Sequence, residues 1–189
     1  MPSIIKSKKP IKFGKLFIIN QLSFSEDTIN SYRENIKQQN PQISDENLER
    51  ELLVLLKRDS FYNRLMDEVA SAYDFELDEE EVKDQLELLK SSYPSASEEN
   101  LRSRIEISIY KRLIYEDLEK DWEIEISDEE VKDTLTSYYK STGQSIREYL
   151  QDKSKFENVR STLKEQLIFD RLMNAFAVEY RFSENEHSN

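Results

Sequence analysis

Apolar residues recur in steps of three and four along most of the chain. Leu48, Leu52, Leu55 and Leu56 lead into Phe61, Tyr62, Leu65, Met66 and Val69, which predicts a helix over 45–72. The same spacing predicts helices over 25–39 (Ile29, Tyr32, Ile36), 78–92 (Val82, Leu86, Leu89), 127–142 (Val131, Leu135, Tyr138, Tyr139) and 154–181 (Phe156, Val159, Leu163, Leu167, Leu172, Phe176, Tyr180). Residues 146–150 fit a short helix. Starts are marked by Ser25, Ser44 and Ser97 ahead of acids, and by Asp78 with Glu81 and Ser127 with Glu130 in capping-box spacing. Asn40-Pro41, Pro94 and Gly143 supply the stops.

The helix predicted over 97–121 carries two stripes. Leu101, Ile105, Ile109 and Leu113 form one, and Ile107, Tyr110, Ile114 and Leu118 form another. At about 100° per residue they point in nearly opposite directions, so this helix is expected to pack on two sides. Around it the chain repeats itself. The Pro41–Leu48 segment matches Pro94–Leu101, and Phe75–Asp84 matches Ile124–Asp133. Each unit reads as a long helix, an apolar-x-apolar hinge and a short acidic helix, and such units bury their apolar faces by stacking. Tyr180-Arg181-Phe182 resembles a shortened copy of the hinge. Ile11–Asn20 reads as extended; a lone strand is expected to lie on helices or on another chain, which makes it a candidate dimer contact. The expected organisation is a basic arm over 1–20, partly disordered or extended, a helical domain over 21–182 with units 41–93 and 94–182 sharing the 97–121 helix, and a polar tail over 183–189. Only two glycines and four prolines stand in 189 residues, which argues against a turn-rich sheet protein. The fold class is all-α, an elongated arrangement of long helices and short helical arms.

Charge and candidate chemistry narrow the function. The net charge is -12, yet residues 1–20 hold Lys6, Lys8, Lys9, Lys12 and Lys15 and no acid. An acidic body repels phosphate backbones, so duplex DNA is not an expected partner; the lysine arm is the one stretch suited to an anionic surface such as the ribosome. No cysteine is present, and no apolar run reaches the length of a membrane span or a signal-peptide core. A cytoplasmic location is expected. The single histidine, His187, sits in the polar tail, away from any relay with a nucleophile and an acid. Gly14 and Gly143 stand alone, so no phosphate-cradling loop is formed. The acid runs at 78–81 and 128–130 lack the alternating ligands and glycine of a calcium loop, and they suit helix first turns. No enzyme activity, metal or cofactor is expected.

Aromatic residues are abundant, with ten tyrosines and nine phenylalanines. Most fall at core spacing. Phe61, Tyr110, Tyr138, Tyr139, Tyr149 and Phe156 are the candidates for gripping apolar segments, because an amphipathic ring holds varied partners without a fixed register.

From Leu101 to Phe176 the pattern resembles the C-terminal peptide-binding module of trigger factor, a module similar to the N-terminal part of SurA-type chaperones. The resemblance rests on the Leu101/Ile105/Ile109 helix, Arg112-Leu113-Ile114, the turn from Ile124 and Ile126 through Ser127-Asp128-Glu129-Glu130-Val131, Gly143, and Arg160, Leu163 and Arg171-Leu172-Met173. It is also similar in size to mycoplasma-type chaperone-like proteins in which the module stands alone. The resemblance implies ATP-independent holding of unfolded or nascent polypeptide in a cleft between helical arms. It does not carry over ribosome docking or prolyl isomerisation, whose domains have no counterpart here. An adaptor that binds one folded partner, or a ribosome- or RNA-associated factor using the lysine arm, are the alternatives.

Overall fold

The computed structural model describes residues 2–143 and 145–183; His187 and the rest of the expected tail beyond Ser183 lie outside them. Among the described residues there are seven helices and four short strands: β1 (Ile4–Lys8), β2 (Leu16–Ile19), α1 (Glu26–Gln39), α2 (Asp45–Ala70), β3 (Tyr73–Glu76), α3 (Glu79–Ser92), α4 (Glu98–Asp121), α5 (Asp128–Thr142), α6 (Arg147–Gln151), α7 (Lys153–Ala175) and β4 (Ala177–Tyr180). The fold is mostly helical, as expected. Ser25, Ser44, Ser97 and Ser127 all act as N-caps, each accepting a backbone N–H in the first turn of its helix.

The chain divides into two compact units, one of Met1–Lys9 with Tyr73–Leu172 and the other of Pro10–Ala72 with Met173–Asn189. These do not follow the duplicated segments. The physical reason is strand pairing across long sequence distances, which returns both chain ends to distant elements.

In the first unit, α3 and α4 pack through Val82, Leu86, Leu101, Ile105, Ile109 and Leu113, with Ile5, Phe75, Leu77 and Leu89 around them. The first stripe of α4 is therefore core. On the second stripe Ile114 and Leu118 are buried, Tyr110 is half-buried and Ile107 is open to solvent. Residues 4–8, expected to be poorly ordered, form β1, which pairs antiparallel with β3 and carries a bulge between Ile5 and Ser7. Its far end is tied down by Lys8, whose ammonium donates to Asp117 at 2.6 Å and also to Asp121. Tyr73 donates to the same Asp117 carboxylate at 2.8 Å.

The near end of β1 changes how α3 starts. Asp78 caps the helix by accepting from the Glu80 N–H. Glu81 does not reach back to Asp78 as a capping box requires. Its carboxylate accepts the backbone N–H of buried Ser3 at 2.9 Å, while the Ser3 hydroxyl accepts the Asp78 N–H at 2.9 Å. The reciprocal cap is completed by a residue 75 positions away.

The second unit joins α1 to α2 through Ile36, Leu48, Leu52 and Leu56, with Phe24, Ile29 and Tyr32 alongside. The extended segment at 11–20 does not remain without a partner. β2 pairs in parallel with β4, Leu16 opposite Ala177 and Ile19 opposite Tyr180. The last helix accordingly stops at Ala175 rather than near Arg181. The Gly14 N–H donates to the Ala175 carbonyl at 2.7 Å, and Phe13 and Phe17 both meet the Phe176 ring at 5.7 Å.

Two outcomes test these contacts. Leu101 is fully buried between α3 and α4; Leu101→Ala should cost about 2–5 kcal/mol in urea unfolding. The Ser3 N–H holds the Glu81 carboxyl below the usual range, helped by Arg112. A depressed carboxyl pKa stabilises above its unfolded value, about 4.3, and that contribution fades as pH falls through the folded pKa. Glu81→Gln should therefore lower the urea midpoint at pH 7, and by clearly less at about pH 3, where the folded carboxyl moves toward its protonated form. A gap of equal size at both pH values would contradict this.

Candidate functional site

The candidate site lies within the first unit, where α5, α6 and α7 meet. Ser127 and Glu130 form a complete capping box: the Ser127 N–H donates to the Glu130 carboxylate at 2.7 Å and the Glu130 N–H to the Ser127 hydroxyl at 3.3 Å. This fixes where α5 begins. Val131, Leu135 and Tyr139 then share one face, four residues apart. Gly143 takes φ +70°, the left-handed conformation that closes α5 and turns the chain toward α6. The Asp152 carboxylate caps α7 by accepting the N–H of Ser154 at 2.9 Å and of Lys155 at 3.3 Å.

The three helices share a small core. Ile126, Val131 and Leu135 are buried, and Tyr139, Ile146, Tyr149, Phe156, Val159 and Leu163 are packed partly against them. Arg160 fastens it. Its guanidinium donates to the Ile126 carbonyl and to Asp128, meets Glu157 at 3.1 Å, and lies 5.5 Å from the Phe156 ring. Asp128 is held below the usual carboxylate range by this bond. Farther along α7, Lys164 donates to Glu119 at 2.5 Å and Arg171 lies 4.4 Å over the Trp122 ring.

Beside this core runs an open groove of about 370 Å³, lined by Thr134, Tyr149, Lys155, Asn158, Val159, Thr162 and Leu163. Val159 and Leu163 give it an apolar floor. Tyr149 stands at its margin. The Tyr139 hydroxyl donates to the Tyr149 hydroxyl at 2.8 Å, a bond that pushes the Tyr139 phenol up to about 12. The Tyr139 phenol is therefore protonated at neutral pH. Tyr138 stands edge-on to Tyr139 at 5.0 Å and is 65% exposed. A second cleft of about 480 Å³ lies between α4 and α7, with Tyr115 and Ile168 beside Lys111, Arg112, Glu116, Glu119, Lys164 and Glu165. Its charges largely face opposite charges of the same chain.

Of the six residues proposed from sequence, four come together here: Tyr138, Tyr139, Tyr149 and Phe156. Phe61 belongs to the other unit and is only 5% exposed, its ring set edge-on to Phe17 at 6.2 Å. It is core, because the strand β2 covers it. Tyr110 stacks on Phe75 at 4.4 Å, beside the α3–α4 core and away from the groove lining. Sequence reasoning did not pick out Thr134, Asn158 or Thr162. The signal was present in the 155, 158, 159, 162, 163 spacing, which puts a polar and an apolar stripe on one side of α7. Three lysines of the expected arm meet acids of their own chain: Lys6 with Glu76, Lys8 with Asp117 and Asp121, and Lys15 with Glu68. Among the described residues no helix is long and apolar enough to cross a membrane, and no group of three His, Cys, Asp or Glu is arranged to hold a metal ion.

Residues 95–174, which span α4 to α7, match the family model described as the C-terminus of bacterial trigger factor. Over 184 residues the chain is 31% identical to the uncharacterized protein MG377 of Mycoplasma genitalium, covering 97% of this chain and 95% of that protein. The chain belongs to the MG377 family. The MG377 homolog of Mycoplasma pneumoniae is 30% identical over the same length. Among solved structures, the hypothetical Mycoplasma protein MPN555 is 29% identical and superposes with a TM-score of 0.77, covering all of this chain and 94% of that one. In this MG377-family protein the groove thus falls inside the trigger factor C-terminal match.

Arg160→Gln removes the charge and the forked donor that join α7 to the start of α5. Amide hydrogen exchange across Asp128–Thr142 should accelerate while exchange in α3 stays unchanged. Unaltered protection of α5 would show that its apolar core alone sets its position.

Proposed function

We propose that this protein is an ATP-independent holdase, which binds apolar segments of unfolded or nascent polypeptide in the α5–α7 groove. The observation that carries the reading is the groove itself, lined by Val159, Leu163 and Tyr149, with the exposed Tyr138 one helical turn beyond its Thr134, inside the stretch that matches the trigger factor C-terminus. Holding requires reversible burial of apolar surface, and an exposed amphipathic ring beside an open groove supplies it without a fixed side-chain pattern. Val159 and Leu163 would bury the client's side chain, Tyr149 would flank it, and Tyr138 would close over it. No bond is made or broken, so no catalytic group is needed. The charge of -12 keeps a loaded complex soluble by mutual repulsion. The reading is of a cytoplasmic protein, the compartment in which trigger factor works.

Dilution of a guanidinium-unfolded enzyme into buffer, followed by light scattering, tests this. A several-fold molar excess of the protein should suppress aggregation, with no added nucleotide. Tyr138→Ser removes an exposed ring and little packing, and should weaken suppression while leaving the urea midpoint in place. Full aggregation at several-fold excess of the unmodified protein would sink the idea.

A further inference from the structure

Hydrogen bonds already made inside the groove restrict what it still offers. The Thr134 hydroxyl donates to the Glu130 carbonyl at 2.8 Å, and the Thr162 hydroxyl to the Asn158 carbonyl at 2.9 Å. Both threonines therefore turn their donors to their own helices and leave methyl groups and acceptor lone pairs for the surroundings. Lys155 is engaged with Glu148. Tyr149 accepts from Tyr139, which leaves its own O–H as a donor. Asn158 differs from all of these. Its side chain lines the groove and is exposed, and its amide makes no hydrogen bond among the described residues. It stands on the turn of α7 that contributes Val159, with Thr162 and Leu163 on the next.

A primary amide presents two N–H donors and a carbonyl acceptor. That is the complement of one residue of extended main chain, whose N–H and C=O point to the same side and can be satisfied together. An apolar side chain entering over Val159 and Leu163 brings its own backbone with it. Burying that backbone without a partner costs on the order of 1–3 kcal/mol per group, so a groove that took only the side chain would lose much of what it gained. Among the described residues no carboxylate lines the groove, so a neutral, extended stretch of main chain meets no unmatched acid there.

We infer that Asn158 is a backbone clamp, and that the groove recognises an extended polypeptide with a free main-chain N–H beside its apolar side chain. This rests on the holdase reading. The Asn158 amide pairs with the N–H and C=O of one client residue, the Tyr149 hydroxyl donates to a neighbouring carbonyl, and Val159 and Leu163 take the side chain. Selection is then for conformation and backbone, with little regard to sequence beyond one apolar residue. Segments already in a helix or sheet, whose N–H groups are paired, are excluded, as are stretches rich in proline, which has no N–H.

The test uses the full chain and two fluorescein-labelled eight-residue peptides of alternating leucine and serine. One is unmodified, and the other is N-methylated at its central leucines. Fluorescence anisotropy reports binding. The unmodified protein should bind the methylated peptide about three- to tenfold more weakly, the loss of one or two backbone hydrogen bonds. Asn158→Leu, a near-isosteric and more apolar change at an exposed position, should bind both peptides alike, at about the weaker affinity. Asn158→Gln, which keeps the amide, should restore part of the difference. Equal binding of the two peptides by the unmodified protein, or undiminished binding of the unmodified peptide by Asn158→Leu, would overturn the clamp and leave the holdase reading standing. No binding of either peptide would remove both.

Discussion

The groove depends on Arg160. Among the described residues the small core shared by α5, α6 and α7 has three buried apolar members, Ile126, Val131 and Leu135. A core that small does not fix a helix angle by packing alone. Arg160 supplies direction that apolar contact lacks, because its planar fork reaches a backbone carbonyl and a carboxylate at once. The carbonyl belongs to Ile126, at the end of the turn that leaves α4, and the carboxylate belongs to Asp128, in the first turn of α5. One side chain thus sets α7 against both. A lysine could neutralise Asp128 but would lack that two-pronged geometry, and the groove width would follow whichever contact it kept.

The helices were legible because their signals are local. Ser25, Ser44, Ser97 and Ser127 cap where they were expected to, and Gly143 ends α5 with the positive φ its lack of a side chain permits. Of the strands only β2 was legible, inside the extended segment read over 11–20; the others were not, for a physical reason that β4 makes plain. Leu172, Phe176 and Tyr180 keep helical spacing, yet Phe176, Val178 and Tyr180 also alternate as a strand does. Nothing within the segment decides between the two. The decision comes from β2, which lies far off in sequence and offers Leu16–Ile19 as a parallel partner. Asp78 and Glu81 fail in the same way. Their spacing is that of a capping box, but Ser3 outcompetes the local arrangement from a distance. The candidate site was half legible. The pair Tyr138-Tyr139 and Tyr149 stood out because they flank a short helix, whereas Phe61 had the same residue type and no local sign of the strand that buries it. Asn158 carries no signal by type; only its place on α7, in the polar stripe beside Val159 and Leu163, distinguishes it.

The duplicated segments show how one pattern reaches different ends. After α2 the chain forms β3, and after α7 it forms β4; each finds an N-terminal strand to pair with. After α4 the corresponding stretch, Ile124 to Ile126, forms no strand. There Glu123 sits at φ +50°, a left-handed conformation unusual for a residue with a side chain. Two partner strands, β1 and β2, serve three hinges. The hinge left over is the one that places α5, and it is pinned by a side chain instead of a ladder. That is why the same repeat gives stapled junctions elsewhere and a junction held by Arg160 beside the groove.

A ladder and a pin differ in what they allow. Strand pairing is cooperative and resists small rotations, because register ties several bonds together. A guanidinium contact between exposed and half-buried groups tolerates small shifts of angle, and a core of three buried residues gives little resistance of its own. The α3–α4 pair, with six buried residues and β1–β3 folded over its end, has no such latitude. The lighter packing is thus concentrated where the exposed tyrosine and the apolar floor lie. A holder of unrelated segments needs a surface that adjusts to the side chain it meets and a frame that does not. On the proposed holdase reading the first unit separates the two along its own sequence, with the frame built from α3 and α4 and the more lightly packed wall from α5.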